Sequence, residues 1–175
     1  MSTLKVDSIL DTSGNDNLGK IIQVAQSSAS GEFSSSSTSF VDTGLITVSF
    51  SNNIQSGNKV LVQIEASISE AYSGSWASPI YLTAYCTSQS ANIGDSSTGI
   101  VGGNTIANAS GVQGNNYDID RLYGSLLYTP TVTNPTLKLY MRSVHAFTRT
   151  IGSANAGNVA YDVGGTRITI MEISA

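Results

Sequence analysis

The chain has 175 residues, a length one domain accommodates, and carries 40% hydrophobic but only 11% charged residues. Its net charge is −4 and its 8 basic residues form no run, which excludes a nucleic-acid interface or a membrane-surface helix built on clustered Lys and Arg. One cysteine, Cys86, rules out an internal disulfide, and no apolar run approaches the roughly 20 residues of a bilayer-spanning helix.

Residues 1–19 read as a short extended arm. Leu4, Val6, Ile9 and Leu10 are too few to make a core and need a partner surface. They pair either with the edge of their own domain or, by strand addition, with a neighbouring subunit or larger assembly. Residues 20–175 read as a single β domain. Within 40–50, Ile46, Val48 and Phe50 share a face after an Asp42-Thr43-Gly44 turn. The alternation is clearest over 59–69, where Val60, Val62, Ile64, Ala66 and Ile68 oppose Leu61, Gln63, Glu65, Ser67 and Ser69. Successive strand side chains point to opposite faces, so this is a strand with one buried side. Residues 79–87 repeat the pattern, with Ile80, Leu82, Ala84 and Cys86 against Tyr81, Thr83 and Tyr85. Residues 93–114 are rich in Gly, Asn, Ser and Ala and read either as a long functional loop or as a stretch that hides a short strand at 98–101. Residues 135–144 set Leu137, Leu139 and Met141 against Lys138, Tyr140 and Arg142. Gly- and Asn-rich turns separate these runs, and no amphipathic helix of useful length is predicted. An antiparallel β-sandwich follows from that spacing.

The final segment, 166–173, is apolar on both sides, with Ile168 and Ile170 on one face and Met171 and Ile173 on the other. A strand of this kind belongs in a sheet interior or at a subunit contact. These four residues are therefore the candidate subunit interface of a homotrimer.

Little in the sequence carries chemistry. His145, the sole histidine, has the ordinary reading of a structural or surface residue, and Cys86 falls on an aliphatic face, where a thiol behaves as a small hydrophobe. Asp118 and Asp120 share a strand face beside Asn115 and Asn116, an oxygen-rich set suited to Ca²⁺, but without EF-hand spacing a polar turn is the simpler account. No catalytic residue, metal site or cofactor is expected. Tyr72, Trp76, Tyr81 and Tyr85 lie around the loop 73–78 and form the one constellation with binding character. Such aromatics stack on sugar rings in a receptor glycan or pack at subunit contacts.

The opening Met1-Ser2-Thr3-Leu4-Lys5-Val6-Asp7-Ser8-Ile9, followed by a polar turn through Asn15, resembles that of short virion proteins of tailed bacteriophages, where the pattern is M-S-T-L-K-V-D-x-I. The similarity continues through Ile21-Ile22-Gln23-Val24-Ala25-Gln26 and Ser39-Phe40-Val41-Asp42-Thr43-Gly44-Leu45, and returns at Thr166-Arg167-Ile168-Thr169-Ile170. The resemblance implies a compact, trimeric, jelly-roll-like head with an N-terminal attachment arm, located in the virion and made in the host cytoplasm. It implies a non-enzymatic structural protein, the knob of a tail fibre or other appendage, whose partners are its own copies, other virion proteins and a host surface glycan. A capsid decoration or cement protein is the alternative, and a free carbohydrate-binding lectin-like module a more distant one. No heptad, Gly-X-Y triplet or other repeat supplies a fibre shaft, so the chain is expected to be the knob, a short fibre or a unit mounted on another shaft.

Overall fold

A computed structural model of the chain describes residues 19–71, 80–100, 117–146, 148–152, 154–156, 159–161 and 165–175. Twelve strands occur among these residues: β1 (Ile21–Ala29), β2 (Phe33–Ser35), β3 (Val41–Ser49), β4 (Lys59–Ala71), β5 (Ile80–Cys86), β6 (Ala91–Asn92), β7 (Tyr117–Tyr128), β8 (Thr136–Ser143), β9 (Arg149–Ile151), β10 (Ala154–Ala156), β11 (Val159–Tyr161) and β12 (Thr166–Ile173). The fold is all-β, and every strand pairing is antiparallel.

The larger sheet runs β1-β12-β4-β7, with β9 pairing the far end of β4 and β2 lying beyond it. The smaller sheet runs β3-β8-β5-β6, and β10 with β11 forms a separate two-stranded ribbon. The two main sheets bury their aliphatic faces against each other. The larger contributes Val60, Val62 and Ile64 from β4 with Ile168 and Ile170 from β12. The smaller contributes Ile46 and Val48, Ile80 and Leu82, and Leu137, Leu139 and Met141. Each such fully buried side chain stabilises the fold by about 1.5–3 kcal/mol relative to exposure. The alternation expected for 59–69, 79–87 and 135–144 makes this sandwich, except that Ser67 and Thr83, expected on the outer faces, are buried, and the side chains of residues 68 and 69 lie outside the described set.

Three local expectations change. Ile168 and Ile170 are fully buried inside the chain's own core, so they are not part of a subunit interface. Only Met171 and Ile173 of that group remain on the outer face of β12, half-buried. The Asp42-Thr43-Gly44 turn is a bulge inside β3, where the register against β8 shifts between Asp42 and Thr47. Asp42 Oδ1 accepts from Gly44 N at 2.9 Å, Gly44 has a φ of 65°, and Thr43 Oγ1 donates to the Leu139 carbonyl at 2.9 Å. An Asx hydrogen bond and a residue free to adopt positive φ thus kink the strand without ending it. Of the short strand expected at 98–101, residue 101 lies outside the described residues and 98–100 hold a single bridge, Asp95 to Gly99, while Ile93 N and Ile100 N donate to the Ala84 and Leu82 carbonyls along the edge of β5.

Candidate functional site: the outer face of the smaller sheet

The residues that alternate with the core positions of β3, β5 and β8 point away from the larger sheet, and strand register sets them in rows. Tyr81 stands opposite Arg142, Thr83 opposite Tyr140, and Tyr85 opposite Lys138. Tyr140 also faces Asp42, Lys138 faces Thr47, and Tyr85 faces Asn92 on its other side. The Arg142 guanidinium carbon lies 5.5 Å from the Phe40 ring centroid and 4.9 Å from that of Tyr81. Arg142 Nη1 also donates to the Thr38 carbonyl at 3.3 Å. One row further, Tyr85 and Tyr140 stack with centroids 4.6 Å apart and planes inclined by 16°. The result is a floor of four aromatic rings interleaved with one guanidinium, above a fully buried Thr83.

Besides Arg142, this face carries an ion pair. Lys138 Nζ lies 2.7 Å from Asp42 Oδ2, with both side chains about one-third exposed. Partial burial works to raise the Asp42 pKa, but hydrogen bonds from Lys138 and Gly44 N outweigh it and hold the carboxyl below its ordinary value. The same hydrogen bond raises the Lys138 pKa. Tyr140 is pushed up by burial and by the Asp42 charge, so its hydroxyl stays protonated and able to donate at neutral pH. Flat ring faces, a guanidinium and the Asp42–Lys138 pair are groups that hold a polar ring by stacking and hydrogen bonds. None of them is an activated nucleophile.

Tyr81 and Tyr85 therefore sit on this face, opposite the aliphatic one. Tyr72 and Trp76 lie outside the described residues, as do Leu4, Val6, Ile9 and Leu10 of the arm. The backbone of Asp118 and Asp120 lies in β7, paired with Glu70 and Ile68, and their side chains are outside the described set. Among the described residues, no group of three or more His, Cys, Asp and Glu is placed to hold a metal ion. His145 is exposed just beyond β8, and Cys86 is fully buried. Phe40, Tyr140 and Arg142 are members of the site that the sequence reading did not single out. The alternation over 135–144 does turn Tyr140 and Arg142 outward, but the register that brings them onto Tyr81 and Tyr85 joins strands more than 50 residues apart. No protein-family model matches the chain, and no curated protein matches it.

Proposed function

We propose that this chain is a non-enzymatic structural protein of a bacteriophage particle, the trimeric knob of a tail fibre or other appendage. Its host-facing contact is a surface glycan held by the outer face of the smaller sheet. The arrangement that carries the glycan contact is Arg142 between Phe40 and Tyr81, beside the Tyr85–Tyr140 stack. The particle assignment is supported by the N-terminal resemblance, and residues 1–19 act in it as the attachment arm. Ignoring the short strands β2, β9, β10 and β11, the order β1-β12-β4-β7 over β3-β8-β5-β6 supports a jelly roll. Half-buried Met171 and Ile173 on the outside of β12 support contact with further copies.

Cryo-electron microscopy of the particle, with an adsorption assay, tests this reading. Density at the tail and loss of adsorption in Tyr85→Ala and Arg142→Ala particles are expected. Density on the capsid lattice would make the chain a decoration protein, and normal adsorption by correctly assembled variants would remove this face from host contact.

A further inference from the structure

The outer face of the larger sheet carries a different surface. Strand register aligns Val24 of β1 with Met171 of β12, Met171 with Leu61 of β4, and Leu61 with Leu127 of β7. Directly opposed residues of an antiparallel pair share a face, so these four side chains form one apolar row across four strands, roughly 14 Å long at the usual inter-strand spacing. At the β1–β12 end the row widens, because Ile21 pairs with Ile173. Val24 is 56% exposed, Ile21 53% and Leu127 48%, while Leu61, Met171 and Ile173 are half-buried. The next row, Gln26, Thr169, Gln63 and Ser125, is neutral and polar.

We infer that this row is the face through which copies of the chain associate, each turning it toward a common axis; the inference rests on the trimeric reading above and gives it a surface. Three observations favour a copy of this chain over another occupant. Val24, Ile21 and Leu127 are each about half exposed, so the row leaves open an apolar area on the order of 400 Å², within the range of the largest patches monomers carry, and its neutral border enlarges the surface toward the roughly 800 Å² each partner buries in a stable contact. Among the described residues, the charged side chains bordering it are few: Lys59 beside Ile173, and Arg167 with Glu65, whose opposite charges lie 3.7 Å apart. A chain of net charge −4 repels its own copies elsewhere, but this nearly neutral face adds little to that repulsion. Among the described residues, the face also offers no cluster of basic residues for an anionic membrane or nucleic acid, and no acidic cluster for a cationic partner. In a three-fold ring only side chains at the axis meet their own copies, and the rest of each contact joins two different patches, so the row supplies the part of the interface nearest the axis.

Sedimentation of the full-length chain, wild type and Val24→Lys/Leu127→Lys, tests the inference. Both positions are exposed, so the variant should keep the far-UV circular dichroism of the wild type. Ser49→Lys, exposed on β3 in the other sheet, is the control. The expected result is an assembly of three 18.2 kDa chains for the wild type and the control, and a monomer for the double variant, with its dissociation constant raised at least 100-fold. A folded double variant that stays trimeric would overturn this face and leave the trimer standing. A monomeric wild type would overturn both. Association that appears only after removal of residues 1–18 would instead place that segment on the row, and would also overturn the inference.

Discussion

Glu172 Oε1 accepts a 2.6 Å hydrogen bond from Asn58 Nδ2, a residue 114 positions earlier in the chain. The same oxygen accepts from Gln55 N at 2.9 Å, and Oε2 accepts from Gln23 Nε2 at 2.6 Å. Glu172 is fully buried on the inner face of β12, and these three donors are all uncharged. They come from β1 and from the loop before β4. That loop is also tied to the opposite sheet's connection, because Ile54 N donates to the Thr133 carbonyl at 2.7 Å. Asn58 Oδ1 accepts from Ala175 N at 3.2 Å. One carboxylate thus closes an end of the sandwich and anchors the last described residue.

Stability should fall on acidification through this group. Burial works to raise the Glu172 pKa, but hydrogen bonds from Gln55 N, Asn58 and Gln23 outweigh it, and the folded-state value lies below the ordinary 4.5. A depressed native pKa adds stability that is present above the unfolded-state value and is lost as pH falls through the native one. Glu172→Gln keeps the shape but turns an amide group toward donors, so it should cost about 2 kcal/mol at pH 7. Urea unfolding of both proteins at pH 7 and pH 3 checks the sign, because the gap between them should narrow at pH 3. A gap that stays constant would mean that the folded and unfolded states bind this proton alike, and that the Glu172 pKa is not depressed by folding.

The inner faces of β4, β5 and β8 were legible because strict alternation over seven or more residues permits one buried side. β12 was not, because Thr166, Ile168, Ile170 and Glu172 turn inward while Arg167, Thr169, Met171 and Ile173 turn outward, and both sets contain large apolar residues. What brings a glutamate inside is the trio Gln23, Gln55 and Asn58, all more than 110 residues away, and no local pattern reveals them. The binding face was half-legible for the same reason. Tyr81 and Tyr85 follow from periodicity within β5, whereas Arg142 and Phe40 join them only through pairing of β8 with β3 and β5. The apolar row on the larger sheet depends on four strands in register, although Leu61 and Met171 each read as outward-facing on their own strand.

Two glycines with the same backbone sign should respond differently to alanine. Gly44 has a φ of 65° and nothing within 4 Å of where a Cβ would sit. Gly44→Ala should therefore cost only the left-handed backbone penalty, about 1–2 kcal/mol. Gly99 has a φ of 71°, and a Cβ there would collide with the Leu82 carbonyl and press on the Phe40 ring. The collision is with backbone and cannot be relieved by a rotamer change. Gly99→Ala should cost at least about 3 kcal/mol and loosen the segment 93–100 from β5. Equal losses for the two variants in urea unfolding would refute the close approach at Gly99.

Arg142 and Arg167 should separate in the same way under conservative substitution. Arg167 makes a 3.7 Å pair with Glu65, and its side chain is 42% exposed. Exposed pairs of that length contribute little, so Arg167→Lys should change stability by less than about 0.5 kcal/mol. Arg142 presents a planar guanidinium to two rings, and an ammonium cannot stack on both. Arg142→Lys should cost about 1–2 kcal/mol. A double-mutant cycle with Phe40→Leu isolates the ring contact from the hydrogen bond to Thr38, which Phe40→Leu leaves in place. Coupling of about 0.5–1 kcal/mol is expected between Arg142 and Phe40. Strict additivity would assign the loss at Arg142 to the Thr38 bond and the Tyr81 ring, and Phe40 would then serve only to cover Gly99.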